Sequence, residues 1–419
     1  MKKLLILCWL VSFSTIAAAQ DEKLSELERK LAQAAGHIKQ LVSIIESLRA
    51  EIADLKSEKS EPTAARKSST KPDEKSAGEF IERMIEPELG RSERRSAMEA
   101  KPEIFIQTRY AAAPIRDSAS EFEPNISLTR IETRWAGKVA ERFGAGVEIQ
   151  FHPAIDGSPE ELVNDAFIEY YPGDHAAIRA GQFIKPFGFE IQQSSSARES
   201  PERGIFAGYF FPGQRDRGVM LSGDLDFVDN KAFKNIRYFA GAFNGNRFFA
   251  DTNRQMNFLA RVRKLFENPR LAVGFSLQAG RQPLPDGGTG DENIIGADFQ
   301  YAVGRLGLRG EFAAGNMPST LLSIEREFAP AFRPGAHSSG GYLFATYRLA
   351  QRDNIYARYD QFNRDPVTGK NVRAFNLGYF RSIGGMSRLG FDYQFKNRPS
   401  FNDDALNGRF HITWDIEFQ

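Results

Sequence analysis

The sequence predicts an all-β fold, a 16-stranded antiparallel transmembrane β-barrel preceded by an N-terminal coiled-coil helix. Three observations carry this prediction. After Pro102 apolar and polar residues alternate with period two in segments of 10 to 14 residues, longer than ordinary soluble strands and suited to a tilted bilayer crossing. The connections between those segments are alternately tight and long, which puts turns on one rim and loops on the other. The chain also opens with a secretory leader.

That leader, MKKLLILCWLVSFSTIAAAQ, has two lysines, an apolar run, and then Ala17, Ala18 and Ala19 before Gln20. This is the layout of a signal peptide over residues 1–19 with an A-x-A cleavage site. The single cysteine, Cys8, lies inside it, so the mature chain has no disulfide and no thiol for catalysis or metal binding. From Leu24 through Leu27, Leu31, Ala34, Ile38, Leu41, Ile45, Leu48 and Ile52 to Leu55 the apolar spacing alternates three and four. Such heptads predict a coiled coil over 20–59, and with it a homo-oligomer. Residues 60–102 are expected to be a flexible linker, since their first half is polar and carries Pro62 and Pro72. The barrel is assigned to 103–419.

Within the barrel, RLGFDYQFK (388 to 396) sets Leu389, Phe391, Tyr393 and Phe395 against Arg388, Asp392, Gln394 and Lys396. RFHITWDIEFQ (409 to 419) sets Phe410, Ile412, Trp414, Ile416 and Phe418 against His411, Thr413, Asp415 and Glu417. A soluble sandwich would show the same alternation with its faces exchanged. Strand length, the unequal rims, the leader and aromatics near strand ends (Trp135, Tyr170, Tyr171, Tyr301, Trp414, Phe418) favour an outer-membrane barrel with the coiled coil in the periplasm. One segment stands apart. In AGQFIKPFGFEIQQSSS (180 to 196) a strand breaks at Pro186 and Gly188, and alternation resumes only about Val219. The irregular segment 185–214 is the third loop of the long rim. A lumen bounded by sixteen strands is too wide for side chains to fill, so a loop folded inward would narrow it.

The stretch NDAFIEYYPGDHAAIRAGQFIKPFGFE (164 to 190), followed by PERG (201 to 204) and RDRGVMLSG (215 to 223), resembles the phosphate-selective porin O and P family. Weaker similarity runs through IYARYDQF (355 to 362) and the closing strand. The resemblance implies an outer-membrane channel, usually a trimer with one pore per subunit, that passes small anions such as phosphate. It further implies anion contacts at Arg130 on TRIETRW, at Asp165 opening NDAFIEY, and at Ser194, Ser195, Ser196 and Arg198 in the third loop. Ala197 follows the three serines where the resemblance leads one to expect lysine.

Read from the residues alone, the less apolar strand faces place Arg130, Arg134, Arg179, Arg261, Arg305, Arg309, Arg348, Arg358 and Arg388 in the lumen. The same faces carry Glu132, Glu148, Asp165, Glu169, Asp298, Glu311, Asp360, Asp392 and Asp415. The two signs nearly balance. In the loop, Arg198, Arg203, Arg215 and Arg217 against Glu199, Glu202 and Asp216 leave a small positive surplus, which adds Arg203 to the constriction candidates. A formal net charge of +1 offers no basic face for nucleic acid. The five histidines have no metal-ligand spacing, and no nucleophile elbow or P-loop is present, so no enzyme activity and no cofactor is expected. The partners expected are membrane lipid, further copies of the chain and small anionic solutes. A tethering or adhesion protein whose barrel is only an anchor is the alternative.

Overall fold

The computed structural model describes residues 102–114, 122–152, 160–211, 214–245, 255–283, 289–316, 337–363, 371–384, 387–398 and 403–418. The leader, the heptads and the linker up to residue 101 lie outside the described residues.

The strands are β1 (Glu103–Pro114), β2 (Phe122–Ala140), β3 (Phe143–His152), β4 (Glu160–Gly173), β5 (Ala176–Ile184), β6 (Arg215–Asp224), β7 (Ile236–Phe243), β8 (Asn257–Phe266) and β9 (Leu271–Ala279). They continue with β10 (Arg281–Pro283), β11 (Thr289–Asp291), β12 (Ile294–Val303), β13 (Leu306–Asn316), β14 (His337–Arg348), β15 (Asp353–Asn363), β16 (Asn371–Ser382), β17 (Ser387–Arg398) and β18 (Asp403–Phe418). All but β10 and β11 form one closed barrel in which chain neighbours are sheet neighbours. β10 and β11 pair only with each other, in a connection where period-two counting expects a plain loop. The barrel closes by antiparallel pairing of β1 with β18, which sets Ile104 opposite Phe418 and Gln107 opposite Asp415. Closure leaves no strand edge unpaired, as a bilayer requires.

The faces are inverted relative to a soluble barrel. On β13, Arg309 is 1% and Glu311 4% exposed, whereas Phe312 is 54% exposed. β12 repeats the pattern, with Asp298 and Gln300 buried and Ile295 outward at 62%. Apolar side chains out and charged side chains in is the arrangement a lipid solvent selects. Trp135, Tyr170, Trp414 and Phe418 are exposed on the outer face, as expected of interfacial aromatics. Tyr171 is not among them, because its hydroxyl donates to Glu169 on the inner face at 2.8 Å and Lys138 sits 5.0 Å above its ring. A register shift between Tyr170 and Gly173 accompanies this inward turn.

Both ends of the barrel chain lie on the rim that carries the short turns 141–142, 174–175 and 304–305. The β6–β7 connection on this rim is longer and closes on itself through Leu225 N to Ile236 O (3.0 Å) and Asn235 N to the Asp226 carboxylate (2.6 Å). Asp224 accepts from Asp226 N at 3.1 Å, so Asp224 and Asp226 of DLDFVD bond their own turn, the ordinary use of aspartate there.

The segment 185–214 enters the lumen. Lys185 N donates to Gln214 O at 3.0 Å, closing the neck where the chain leaves and rejoins the wall. Pro186 supplies no donor to continue the ladder, and Gly188 takes a left-handed conformation with φ 59°. A Cβ at Gly188 would stand 1.6 Å from the Glu311 carboxylate, so only glycine fits this turn. The loop's second half, IFAGYFF, contains a short helix α1 (Ile205–Phe210). Its aromatics are buried against the inner wall: Tyr209 and Phe210 lie 4.7 and 5.4 Å from Phe362, and Phe211 lies 4.5 Å from Phe187. Each fully buried ring contributes about 1.5–3 kcal/mol, so an apolar cluster of the lumen's own fixes this half of the loop.

Candidate functional site

The loop's first half is held by charge. The backbone N–H groups of Phe189 and Glu190 donate to Glu311 Oε2 at 3.2 and 2.9 Å, and that of Gly188 donates to Ser276 Oγ at 3.0 Å. Glu190 pairs with Arg358 at 2.8 Å and accepts from Gly204 N at 2.9 Å. Burial raises the pKa of Glu190, but Arg358 and Arg309 beside it outweigh burial and hold it at about 2. Glu199 pairs with Arg309 at 2.8 Å. Across the lumen, Glu202 takes Arg109 and Arg130 together, and these guanidinium groups overcome its burial and keep its pKa low. Anchors on β1, β2, β13 and β15 thus stretch the loop across the lumen.

The predicted contact residues separate into two places. Ser195 donates to Glu132 at 2.9 Å, Ser194 and Ser196 bond each other at 3.0 Å, and Arg130 bonds Gln107 as well as Glu202. These residues, with Arg198, line the β1–β2 side of the loop. Asp165 is elsewhere. Arg215, at the end of β6, donates to Asp165 at 2.8 Å and also to Glu148, so Asp165 serves the seam where the loop leaves the wall rather than the serine arc. Arg203 spans the loop's own carbonyls, donating to Glu190 O, Ile191 O and Gln193 O at 3.2, 3.3 and 2.7 Å.

Most luminal arginines have a carboxylate partner. Arg179 pairs with Glu169, Arg261 with Asp298, Arg358 with Asp360, and Arg388 with Asp415; Arg134 stands opposite Glu148 in the β2–β3 ladder. Several also lie on rings: Arg309 is 4.0 Å from the Phe344 centroid and Arg358 4.3 Å from that of Tyr342, a geometry that suits guanidinium. Arg305 corrects the sequence reading. It lies exposed on the turn between β12 and β13 and faces no lumen, because the strand alternation ends two residues before it, at Val303.

Arg198 differs from all of these. It is 2% exposed, and its Nε and Nη2 have no hydrogen-bond partner among the described residues. Its carbonyl accepts from Arg388. Burial first, and then repulsion from Arg203 and Arg130, push its pKa well down, while Glu202 and Glu132 oppose this. A buried guanidinium with unmade hydrogen bonds beside other cations is costly unless an anion joins it.

Sequence reasoning missed Glu190, Glu199 and Ser276 as loop anchors, and it left IFAGYFF unread. The apolar run in a loop was the available signal, since seven such residues do not stay in water without a surface to cover.

The barrel is similar to several solved structures at low identity, a likeness of fold. The outer-membrane channel DcaP of Acinetobacter baumannii is 11% identical with TM-score 0.54, covering 76% of this chain and 96% of its own. An anion-selective porin from Comamonas acidovorans is 13% identical with TM-score 0.54, covering 76% and 99%. OmpF of Salmonella typhi, in complex with daunomycin, is 14% identical with TM-score 0.57, covering 76% and 97%. No curated protein sequence matches the chain. Residues 107–262, which include the inward loop and the strands around it, match the model of the family phosphate-selective porin O and P, so the resemblance read from the sequence holds over the segment that builds the site.

Proposed function

We propose that the chain is an outer-membrane porin, a water-filled channel for passive diffusion of small solutes that favours small anions such as phosphate or polyphosphate. It works as a homo-oligomer, a trimer, with its N-terminal coiled coil in the periplasm. The observation that carries the anion preference is Arg198. Luminal ion pairs cancel locally and add little field, whereas an arginine with unmade donors next to Arg203 and Arg130 leaves a net positive site at the loop. In a narrow, low-dielectric passage that charge concentrates anions. Guanidinium donors bind phosphate oxygens in bidentate fashion, and the serine hydroxyls replace part of the hydration shell.

Planar-bilayer recording tests this reading. Under a salt gradient the reversal potential should report anion preference, and added phosphate should reduce the chloride current. Arg198→Ala should lower both effects; unchanged selectivity and block in that variant would refute the site. A sealed barrel with no conductance would support the second reading, a membrane anchor for an envelope tether. The aromatic cluster that fills part of the lumen is the observation in that reading's favour.

A further inference from the structure

Glu202 stands apart from the other luminal carboxylates. Among the described residues, those that pair with luminal arginines have side chains at most 15% exposed. The Glu202 side chain is 45% exposed, open to the water of the lumen. One of its oxygens accepts from Arg109 Nη2 and the other from Arg130 Nη2, and among the described residues these are its only hydrogen-bond partners. Arg130 is fixed by further bonds, to the Gln107 side chain and to Pro201 O at 3.3 Å. Arg109 Nε, by contrast, is buried with no partner. Arg198, with its own two unmade donors, lies close enough to Glu202 for their charges to attract.

We propose that Glu202 is a tethered counter-ion, which fills the oxyanion site between Arg109 and Arg130 when no solute is there and exchanges with an entering phosphate. The inference rests on the channel reading above and adds how the site chooses and releases its ion. A carboxylate that gives one oxygen to each of two guanidinium groups shows what those groups accept, an anion with two oxygens at carboxylate spacing. Inorganic phosphate supplies such a pair and has further oxygens for the unmade donors of Arg198 and Arg109. Chloride has neither. Burial would neutralise Glu202, but Arg130 and Arg109 hold it ionised, so at neutral pH it competes as an anion. Tied to the loop, it is present at an effective concentration on the order of millimolar, and it returns to the arginines as phosphate leaves. Conduction needs a site that binds well enough to admit an ion and weakly enough to let it go. Glu202 supplies the second condition. The exchange moves one side chain, while the loop stays docked through Glu190, Glu199 and its aromatic half.

Equilibrium dialysis of radiolabelled inorganic phosphate against the folded full chain in detergent tests this, with single-channel recording of the same variants beside it. Glu202→Gln should bind phosphate about tenfold more tightly than wild type, because the competing charge is gone, and each phosphate block should last longer. Glu202→Asp keeps the charge but is one methylene too short to reach both arginines, so it should bind about threefold more tightly. Tighter binding in Glu202→Gln alone would be a field effect of the lost charge and would overturn the exchange. Binding equal to or weaker than wild type in Glu202→Gln, with the noisy conductance of a loosened loop, would make Glu202 a strut and overturn it as well. Dialysis reads binding without conductance. A sealed wild-type barrel that still shows the ranking of the three proteins would therefore refute the channel and keep the exchange site.

Discussion

Glu190→Ala should release the first half of the inward loop. Glu190 gives the loop three contacts: the pair with Arg358 at 2.8 Å, the acceptor for Gly204 N at 2.9 Å, and proximity to Arg309. Removing one partner of a buried ion pair costs about 3–5 kcal/mol. Arg358 keeps Asp360 at 2.5 Å, so the lower end applies, and the unsatisfied Gly204 N–H brings the total back to about 3–4 kcal/mol. A loss of about 3 kcal/mol shifts the balance between docked and undocked loop by roughly 150-fold. The wall itself keeps all its strand pairs, so the barrel should still assemble. Single-channel recording should then show larger mean conductance with slow open-channel noise as the loop swings, while wild type stays quiet. Glu199→Ala, which removes the ion pair to Arg309, should act in the same direction. Wild-type conductance and noise in the Glu190→Ala, Glu199→Ala double variant would refute the reasoning, since it would mean that the aromatic half holds the loop alone.

Gly188→Ala should cost about 1–2 kcal/mol for a left-handed alanine and more for displacing Glu311, seen as a lower melting temperature in detergent and altered conductance. Phe418→Asp puts a charge on an outward position that is 48% exposed, and it should cut the amount of folded barrel recovered from membranes several-fold. The chain truncated to residue 101 onward should give a less heat-resistant oligomer with unaltered single-channel conductance; an unchanged thermal midpoint would remove the heptads from assembly. Against its burial, the Arg358 and Arg309 guanidinium groups depress the pKa of Glu190 to about 2 from its ordinary 4.5, so its stabilisation is fully present above pH 4.5 and is lost as pH falls toward 2. Conductance should therefore hold steady from pH 7 to about 5 and become noisy below about 4, measured on one channel by perfusion.

The barrel was legible because period-two alternation depends on every strand residue and is repeated around the closed wall, so errors at any one strand do not change the count. RLGFDYQFK lies within β17 and most of RFHITWDIEFQ within β18. The break at Pro186 and Gly188 was legible for a local reason, since proline ends a ladder and glycine permits φ 59°. The partners across the lumen were not legible. Ser276, Arg309, Glu311 and Arg358 lie 88 to 168 residues from the loop atoms they bond, and no spacing rule reaches that far. Asp165 was placed with the serines because the family resemblance implies an anion contact there, yet Arg215 binds it on the seam. Arg305 failed for a smaller reason, a strand that ends at Val303.

The loop also divides the lumen by chemistry. On the side of β5–β9 and β12–β16 the loop's aromatics meet Phe183, Phe243, Ile294, Phe344 and Phe362 in an apolar cluster, beside the closed ion pairs Arg261–Asp298 and Arg358–Asp360. On the side of β1–β4, β17 and β18 the inner face carries Gln107, Arg109, Arg130, Glu132, Glu148, Asp392 and Asp415. A hydrated ion cannot cross a packed aromatic cluster without losing its shell, so any conducting path runs along the polar side. That side is bounded by the arc from Ser194 to Glu202, and Arg198 sits in this arc. The acids around it are matched, Glu202 by Arg109 and Arg130, and Asp415 by Arg388. Near-zero net charge for the chain is therefore compatible with a selective pore, because selectivity depends on the unmatched group at the narrowest reach and not on the sum over the wall.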